Sequence, residues 1–188
     1  MNLTLDGFLS GPDCELDWHF DLWTTDMAKA LCSYLEKADT LLFGRITYVA
    51  MAKYWTSRGM DITCPDEDKA FVQMMNSYKK IVFSNTLTKP LWNNTTLISS
   101  SLKEEVAHLK MQEGGDIIVY GSSQLVKSLM ELDVIDEYHL WVHPLTIGNG
   151  KSLFKNNTIQ MQLQSSQSFC SGVVLLNYKN NKARKKQP

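Results

Sequence analysis

An α/β fold built on a mixed, mostly parallel sheet is what this sequence predicts, and three observations carry the expectation. Short apolar runs alternate with stretches of helical periodicity through residues 26–130. Runs such as Leu41-Leu42-Phe43 and Ile117-Ile118-Val119 are apolar and partly β-branched, as strands buried on both faces are. The last third changes character and closes with a hairpin signal across Ser171-Gly172, which adds an antiparallel edge.

Taken in chain order, Leu3 to Leu9 reads as a short strand running into a loop, and Gly11-Pro12-Asp13 is a turn. Met27, Ala30, Leu31, Tyr34 and Leu35 recur at helical spacing behind Asp26, so a first helix is expected over 26–37. A strand at 40–43 leads into a second helix carrying Tyr48, Met51, Ala52 and Trp55. Pro65 opens a third, with Asp66, Glu67 and Asp68 complementing the dipole of its first turn and Phe71, Met74, Met75 and Tyr78 as its apolar stripe. Strands follow at 81–84 and 96–99, then a helix over 102–112 that ends at Gly114-Gly115. A strand at 116–120 and a helix from about Ser123 complete the alternating region. Residues 137–143 form a long strand, and 167–170 with 173–178 form the hairpin. The last ten residues hold five basic side chains and no apolar period, which predicts a basic, disordered tail over 179–188.

The chain has 188 residues, 44% of them hydrophobic, enough to build the core of one ordinary domain. A formal charge of −1 gives no global attraction to nucleic acid or to an anionic membrane, so an anion site has to be local. No apolar stretch approaches the ~20 residues that cross a bilayer. Cys14, Cys32, Cys64 and Cys170 form no C-x-x-C pair and follow no secretory signal, so reduced thiols and a cytoplasmic location are expected.

Chemistry is signalled most clearly by Gly44-Arg45-Ile46-Thr47-Tyr48 and Gly121-Ser122-Ser123-Gln124-Leu125. Each follows a strand and opens a helix, where unspent backbone N–H groups and the helix dipole hold an anion and glycine allows its close approach. Two such places suit a dinucleotide. The usual G-x-G-x-x-G is missing, so a dinucleotide has to be held differently. Gly148-Asn149-Gly150-Lys151-Ser152 imitates the end of a Walker A loop but has Leu145 where glycine is required, which argues against an ATPase. His139 and His143 would be ~13 Å apart along a strand, too far to chelate one metal, and no metal site is expected. Asp6, at the end of the first strand, can orient a substrate or relay a proton, or it can bond local backbone as a turn aspartate. Trp18 is either an aromatic wall for a planar ring or a packed loop residue.

Leu5-Asp6-Gly7-Phe8, Glu15-Leu16-Asp17-Trp18, Leu42 to Tyr48, Asp116 to Gly121, and Asp136-Glu137 through His143-Pro144 to Gly148-Asn149-Gly150 follow one another in an order that resembles the dihydrofolate-reductase-like family. That family includes the reductase domain of bacterial riboflavin biosynthesis, the RibD C-terminal domain, and the resemblance runs from residue 3 to about 178. It implies a dihydrofolate-reductase-like fold with a mixed, mostly parallel eight-stranded sheet in a domain spanning 1–178, and hydride transfer from NADPH. It assigns Gly44, Arg45 and Thr47 to the cofactor phosphates, with Arg45 favouring the 2′-phosphate. It sets Ser84 and Asn85 beside the adenosine, and gives Gly121, Ser122, Ser123, Gln124 and Leu125 the pyrophosphate. Asp6 becomes the candidate catalytic residue, Trp18 the candidate substrate contact, and a homodimer the expected assembly. The pyrimidine reductase has Gly-Gly where this chain has Gly121-Ser122, and its usual zinc-deaminase partner signature is missing here. The expected activity is therefore reduction of a small heterocycle, a riboflavin-pathway pyrimidine like 5-amino-6-(5-phosphoribosylamino)uracil or a pteridine. The competing expectations are a nucleotide-binding module without chemistry and a dimeric interaction protein.

Overall fold

The computed structural model describes residues 1–61, 66–154 and 158–181, those at 66–68 by backbone alone. Cys64, Pro65, the acidic side chains at 66–68 and residues 182–188 of the basic tail lie outside what is described. The chain divides into two compact units, Lys29–Leu129 and a discontinuous one made of Met1–Ala28 with Met130–Pro188.

The central unit begins within α1 (Thr25–Leu35) and contains β3 (Ala38–Gly44), α2 (Arg45–Gly59), α3 (Asp66–Ser77), β4 (Lys79–Phe83), β5 (Thr95–Ile98), α4 (Leu102–Lys110), β6 (Asp116–Val119) and most of α5 (Ser123–Glu131). Its sheet runs β5-β4-β3-β6 with every pair parallel. β3 is central, and Leu41, Leu42 and Phe43 are all buried, which explains a strand without polar alternation. The core joins Leu41, Phe43 and Val82 from the sheet to Tyr48, Ala52 and Trp55 of α2 and to Val72 and Met75 of α3. The three α2 residues are spaced four and three apart, the stripe expected of a helix laid on a sheet. In α4, Glu104 and Glu105 stand in the first turn and His108 and Lys110 in the last, each opposite in sign to the dipole end it faces.

A buried polar knot closes this core. Asn76 donates to the Trp55 and Val72 carbonyls and accepts the Trp92 indole N–H at 2.7 Å. Lys80 is fully buried, donates to the Asn76 and Tyr78 carbonyls at 2.9 and 2.7 Å, and lies 4.4 Å from the Trp92 ring centroid. Loss of hydration pushes its pKa down to about 8, while the two carbonyls and the indole face favour its charged form.

The second unit holds β1 (Asn2–Thr4), β2 (Phe8–Ser10), a 3₁₀ turn at Asp17–His19, β7 (Glu137–His143), β8 (Lys151–Ser152), β9 (Met161–Ser168) and β10 (Val174–Asn180). Its main sheet runs β1-β7-β10-β9, parallel between β1 and β7 and antiparallel elsewhere, and β2 pairs with β8. Trp141 and Phe169 stack at 5.3 Å within its core, beside buried Val173 and Leu175. In place of the single eight-stranded sheet expected, the described strands form two four-stranded sheets, one in each unit, and β2 with β8 form an additional pair.

Three of the differences from the sequence expectation concern strand boundaries. The stretch 3–9 forms two strands, because the Gly7 N–H donates to the Thr4 carbonyl in a tight turn that needs the +84° φ of Gly7. β9 begins at Met161, six residues before the expected start, since its exposed Gln and Ser side chains give no apolar alternation. β10 continues through Lys179 and Asn180, two residues into the stretch read as tail.

Candidate functional site

Parallel strands send their carboxyl ends in one direction, so the turns leaving β3 and β6 emerge side by side. Gly44 caps α2 in extended backbone with φ −86° and ψ 158°, and its N–H donates to Ser122 Oγ at 2.7 Å. A Cβ on Gly44 would stand 3.2 Å from that same oxygen. Gly121 has φ +71°, and a Cβ there would come within 2.9 Å of Thr47 Cγ2. Glycine is thus required at 121 by both conformation and space, while at 44 a side chain would crowd the Ser122 hydroxyl.

Ser122 is the N-cap of α5, its carbonyl accepting the Val126 N–H at 3.0 Å. Its φ of +63° is unusual for a side-chain-bearing residue. Among the described residues the N–H groups of Ser123, Gln124 and Leu125 find no acceptor, which leaves a donor cluster at the positive end of the helix. The Leu125 side chain is core, so this residue offers a ligand only its backbone. Arg45 is exposed and its guanidinium makes no ion pair among the described residues.

Ser84 and Asn85 follow β4, whose Phe83 pairs with Gly44 across the ladder, so they end on the same edge as the two turns. Asn85 is exposed. Ser84 is partly committed, its hydroxyl accepting the Thr86 and Leu87 N–H groups at 3.2 and 3.0 Å. The central unit therefore brings Gly44, Thr47, Gly121, Ser122 and Leu125 together, sets Ser84 and Asn85 at the neighbouring strand end, and leaves Arg45 in solvent.

Asp6 and Trp18 belong to the other unit. Asp6 accepts three hydrogen bonds, from the Thr4 hydroxyl at 2.5 Å, the Gly148 N–H at 2.8 Å and the Ile147 N–H at 3.2 Å. The Thr4 hydroxyl, followed by these backbone donors, holds the Asp6 carboxyl below its ordinary range. An ionised, triply bonded carboxylate is an acceptor that organises the 145–148 loop and has no proton to supply near neutral pH. Sequence spacing could not reveal this contact, because its partner is 142 residues away. The only signal was Gly148-Asn149-Gly150. Gly148 has φ +71°, and a Cβ on Gly150 would meet the Ser10 carbonyl oxygen at 2.2 Å.

Trp18 sits in the 3₁₀ turn, half-buried, with its ring edge-on to His143 at 5.1 Å and 79°. His143, which sequence reading considered only as a metal ligand, is fully buried opposite Thr4 in the β1–β7 register. Its Nε2 lies 3.3 Å from Asn2 Oδ1, so the proton belongs on Nε2 and Nδ1 is a bare acceptor. Among the described residues neither His143 Nδ1 nor the buried Trp18 indole N–H has a partner. Burial, with the charge of His19 beside it, pushes the His143 pKa down to about 4.

The RibD C-terminal domain model matches residues 1–175. The chain belongs to the RibD C-terminal domain family. A Bacillus subtilis (strain 168) member, the uncharacterised protein YyaP, is 33% identical over 178 residues, covering 94% of this chain and 90% of its own. A protein of Shewanella sp. PV-4, named provisionally for riboflavin biosynthesis, has a similar fold with a TM-score of 0.75 at 19% identity, covering 97% of both chains. The Thermotoga maritima diaminohydroxyphosphoribosylaminopyrimidine deaminase/5-amino-6-(5-phosphoribosylamino)uracil reductase matches with a TM-score of 0.64 at 14% identity, covering 95% of this chain and 54% of that enzyme. The dihydrofolate-reductase-like α/β fold of this RibD C-terminal domain protein, with its antiparallel C-terminal hairpin, is therefore shown. No described helix is long and apolar enough to cross a membrane.

Proposed function

We propose that this RibD C-terminal domain protein is an NADPH-dependent reductase of a small heterocyclic compound, a pyrimidine related to 5-amino-6-(5-phosphoribosylamino)uracil or a pteridine. The observation that carries the proposal is the pair of adjoining turns at the ends of β3 and β6. Glycine is demanded at 121 and closely approached at 44, three amide donors stand open at the start of α5, and the Arg45 cation is exposed. That donor set fits a pyrophosphate held on backbone N–H groups, with a guanidinium free to engage a 2′-phosphate. NADPH would supply the hydride; the protein's part is binding, orientation and electrostatics. Asp6, as a fixed carboxylate, would orient a substrate N–H group.

A second reading is favoured by Asp6 itself, whose oxygens are already engaged by Thr4, Ile147 and Gly148. Such a residue suits a nucleotide-binding module without chemistry, or one that acts through assembly as a homodimer. Titration with NADPH and separately with NADH, followed by tryptophan quenching and energy transfer to the nicotinamide, tests the cofactor reading. The reductase predicts saturable binding that favours NADPH and weakens in Arg45→Ala. Absence of binding at millimolar cofactor rejects it. Asp6→Asn then separates the two readings, since a reductase loses turnover with a candidate heterocycle while keeping cofactor.

A further inference from the structure

Serine at an N-cap ordinarily turns its hydroxyl onto the first-turn N–H groups of its own helix. Ser122 does not. Its positive φ swings the side chain off α5, and its Oγ accepts the Gly44 N–H of the neighbouring turn at 2.7 Å. Two consequences follow from one hydrogen bond. The amides of Ser123, Gln124 and Leu125 stay open for an incoming anion, and the β3–α2 and β6–α5 turns are tied across 78 residues of sequence.

We infer that Ser122 is a positioning residue that clamps the two phosphate-binding turns into one preformed cradle, withholding its hydroxyl from α5 so that the helix donors face the dinucleotide. The hydroxyl has one lone pair engaged by Gly44 and a hydrogen that finds no acceptor among the described residues. Accepting a hydrogen bond polarises that O–H, and its unspent proton is a further donor for a phosphate oxygen. The left-handed backbone at 122 suits glycine better than serine, so serine is the less comfortable residue here unless its hydroxyl is used.

This inference rests on the NADPH reading, and the test separates the two. Ser122→Gly preserves the backbone conformation and removes only the clamp, while Ser122→Ala removes the hydroxyl and keeps the strain. Amide hydrogen exchange by NMR in the ligand-free protein reports the clamp, and NADPH titration reports its use. The expected result is a slowly exchanging Gly44 amide in wild type that becomes fast in both variants, with protection in β3 and β6 unchanged. NADPH binding should then weaken about three- to tenfold in both variants, the worth of one ordinary hydrogen bond. A Gly44 amide that exchanges equally fast in wild type and Ser122→Gly overturns the clamp. Unchanged or tighter NADPH binding in Ser122→Gly, with the Gly44 protection lost, overturns the positioning role while the cofactor reading stands. A wild type that protects Gly44 but binds no NADPH rejects the cofactor reading, and the role inferred for the clamp falls with it.

Discussion

His143 illustrates how a residue's chemistry is decided by where the fold puts it. A pKa near 4 in the folded chain against about 6.5 in the unfolded one means that the unfolded state binds more protons throughout that window. Stability contributed by neutral His143 is therefore complete above pH 6.5 and is lost as pH falls toward 4. The shift bounds the loss at about 3 kcal/mol. Urea unfolding at pH 7.0 and 4.5 should show it, and His143→Gln should flatten the difference between the two pH values. Asp6 has the opposite character. Its carboxylate is stabilised by the donors around it, so Asp6→Asn should loosen the 145–148 loop, seen as faster exchange of the Gly148 amide. Neither role was readable from the sequence, where His143 was one of two histidines on a strand and Asp6 a turn acid with two possible uses. Burial sets the environment of His143, and backbone donors as far as 142 positions away engage Asp6.

At the scale of elements, the sequence was most legible where period and burial agree. Residues 137–143 were bounded correctly as β7, and Tyr48, Ala52 and Trp55 marked the buried face of α2, because side chains alternating or recurring against a core leave their period in the sequence. β9 was mostly hidden because an exposed edge strand needs no apolar face, and β8 because two residues carry no period at all. Both helix-start turns were found from glycine after an apolar run. What remained hidden was that Gly121 is needed for both conformation and space, while Gly44 only faces a tight approach from Ser122. Gly121→Ala tests the former, since it forces a Cβ against Thr47 at a backbone angle alanine resists. A destabilisation of at least ~1 kcal/mol and weaker NADPH binding are expected, measured by chemical unfolding and cofactor titration. Lys80 closes the end of α3 in the same way that a cap would, and its burial had no sequence signal, since the strand was expected to begin only at Ile81. Lys80→Met keeps the stem but orphans the Asn76 and Tyr78 carbonyls, so a loss of roughly 2–4 kcal/mol should appear in the same unfolding experiment.

For the whole molecule, the two-unit organisation and the proposed cofactor meet in one thermodynamic measurement. A dinucleotide that binds only the native chain stabilises it by mass action, about 2.7 kcal/mol at a hundredfold excess over the dissociation constant. For a chain of this size each kcal/mol moves the thermal midpoint by about 2–4 °C, so saturating NADPH should raise it by roughly 5–10 °C. The cradle residues all lie in Lys29–Leu129, while Asp6 and Trp18 lie in the other unit. If the dinucleotide is held by the cradle alone, hydrogen exchange should slow in the central unit and leave the Gly148 amide unchanged. The measurement should be repeated across protein concentrations, because a homodimer makes the midpoint depend on protomer concentration even without cofactor. A midpoint that rises with NADPH and rises less in Arg45→Ala would tie cofactor binding to the phosphate cradle of the central unit.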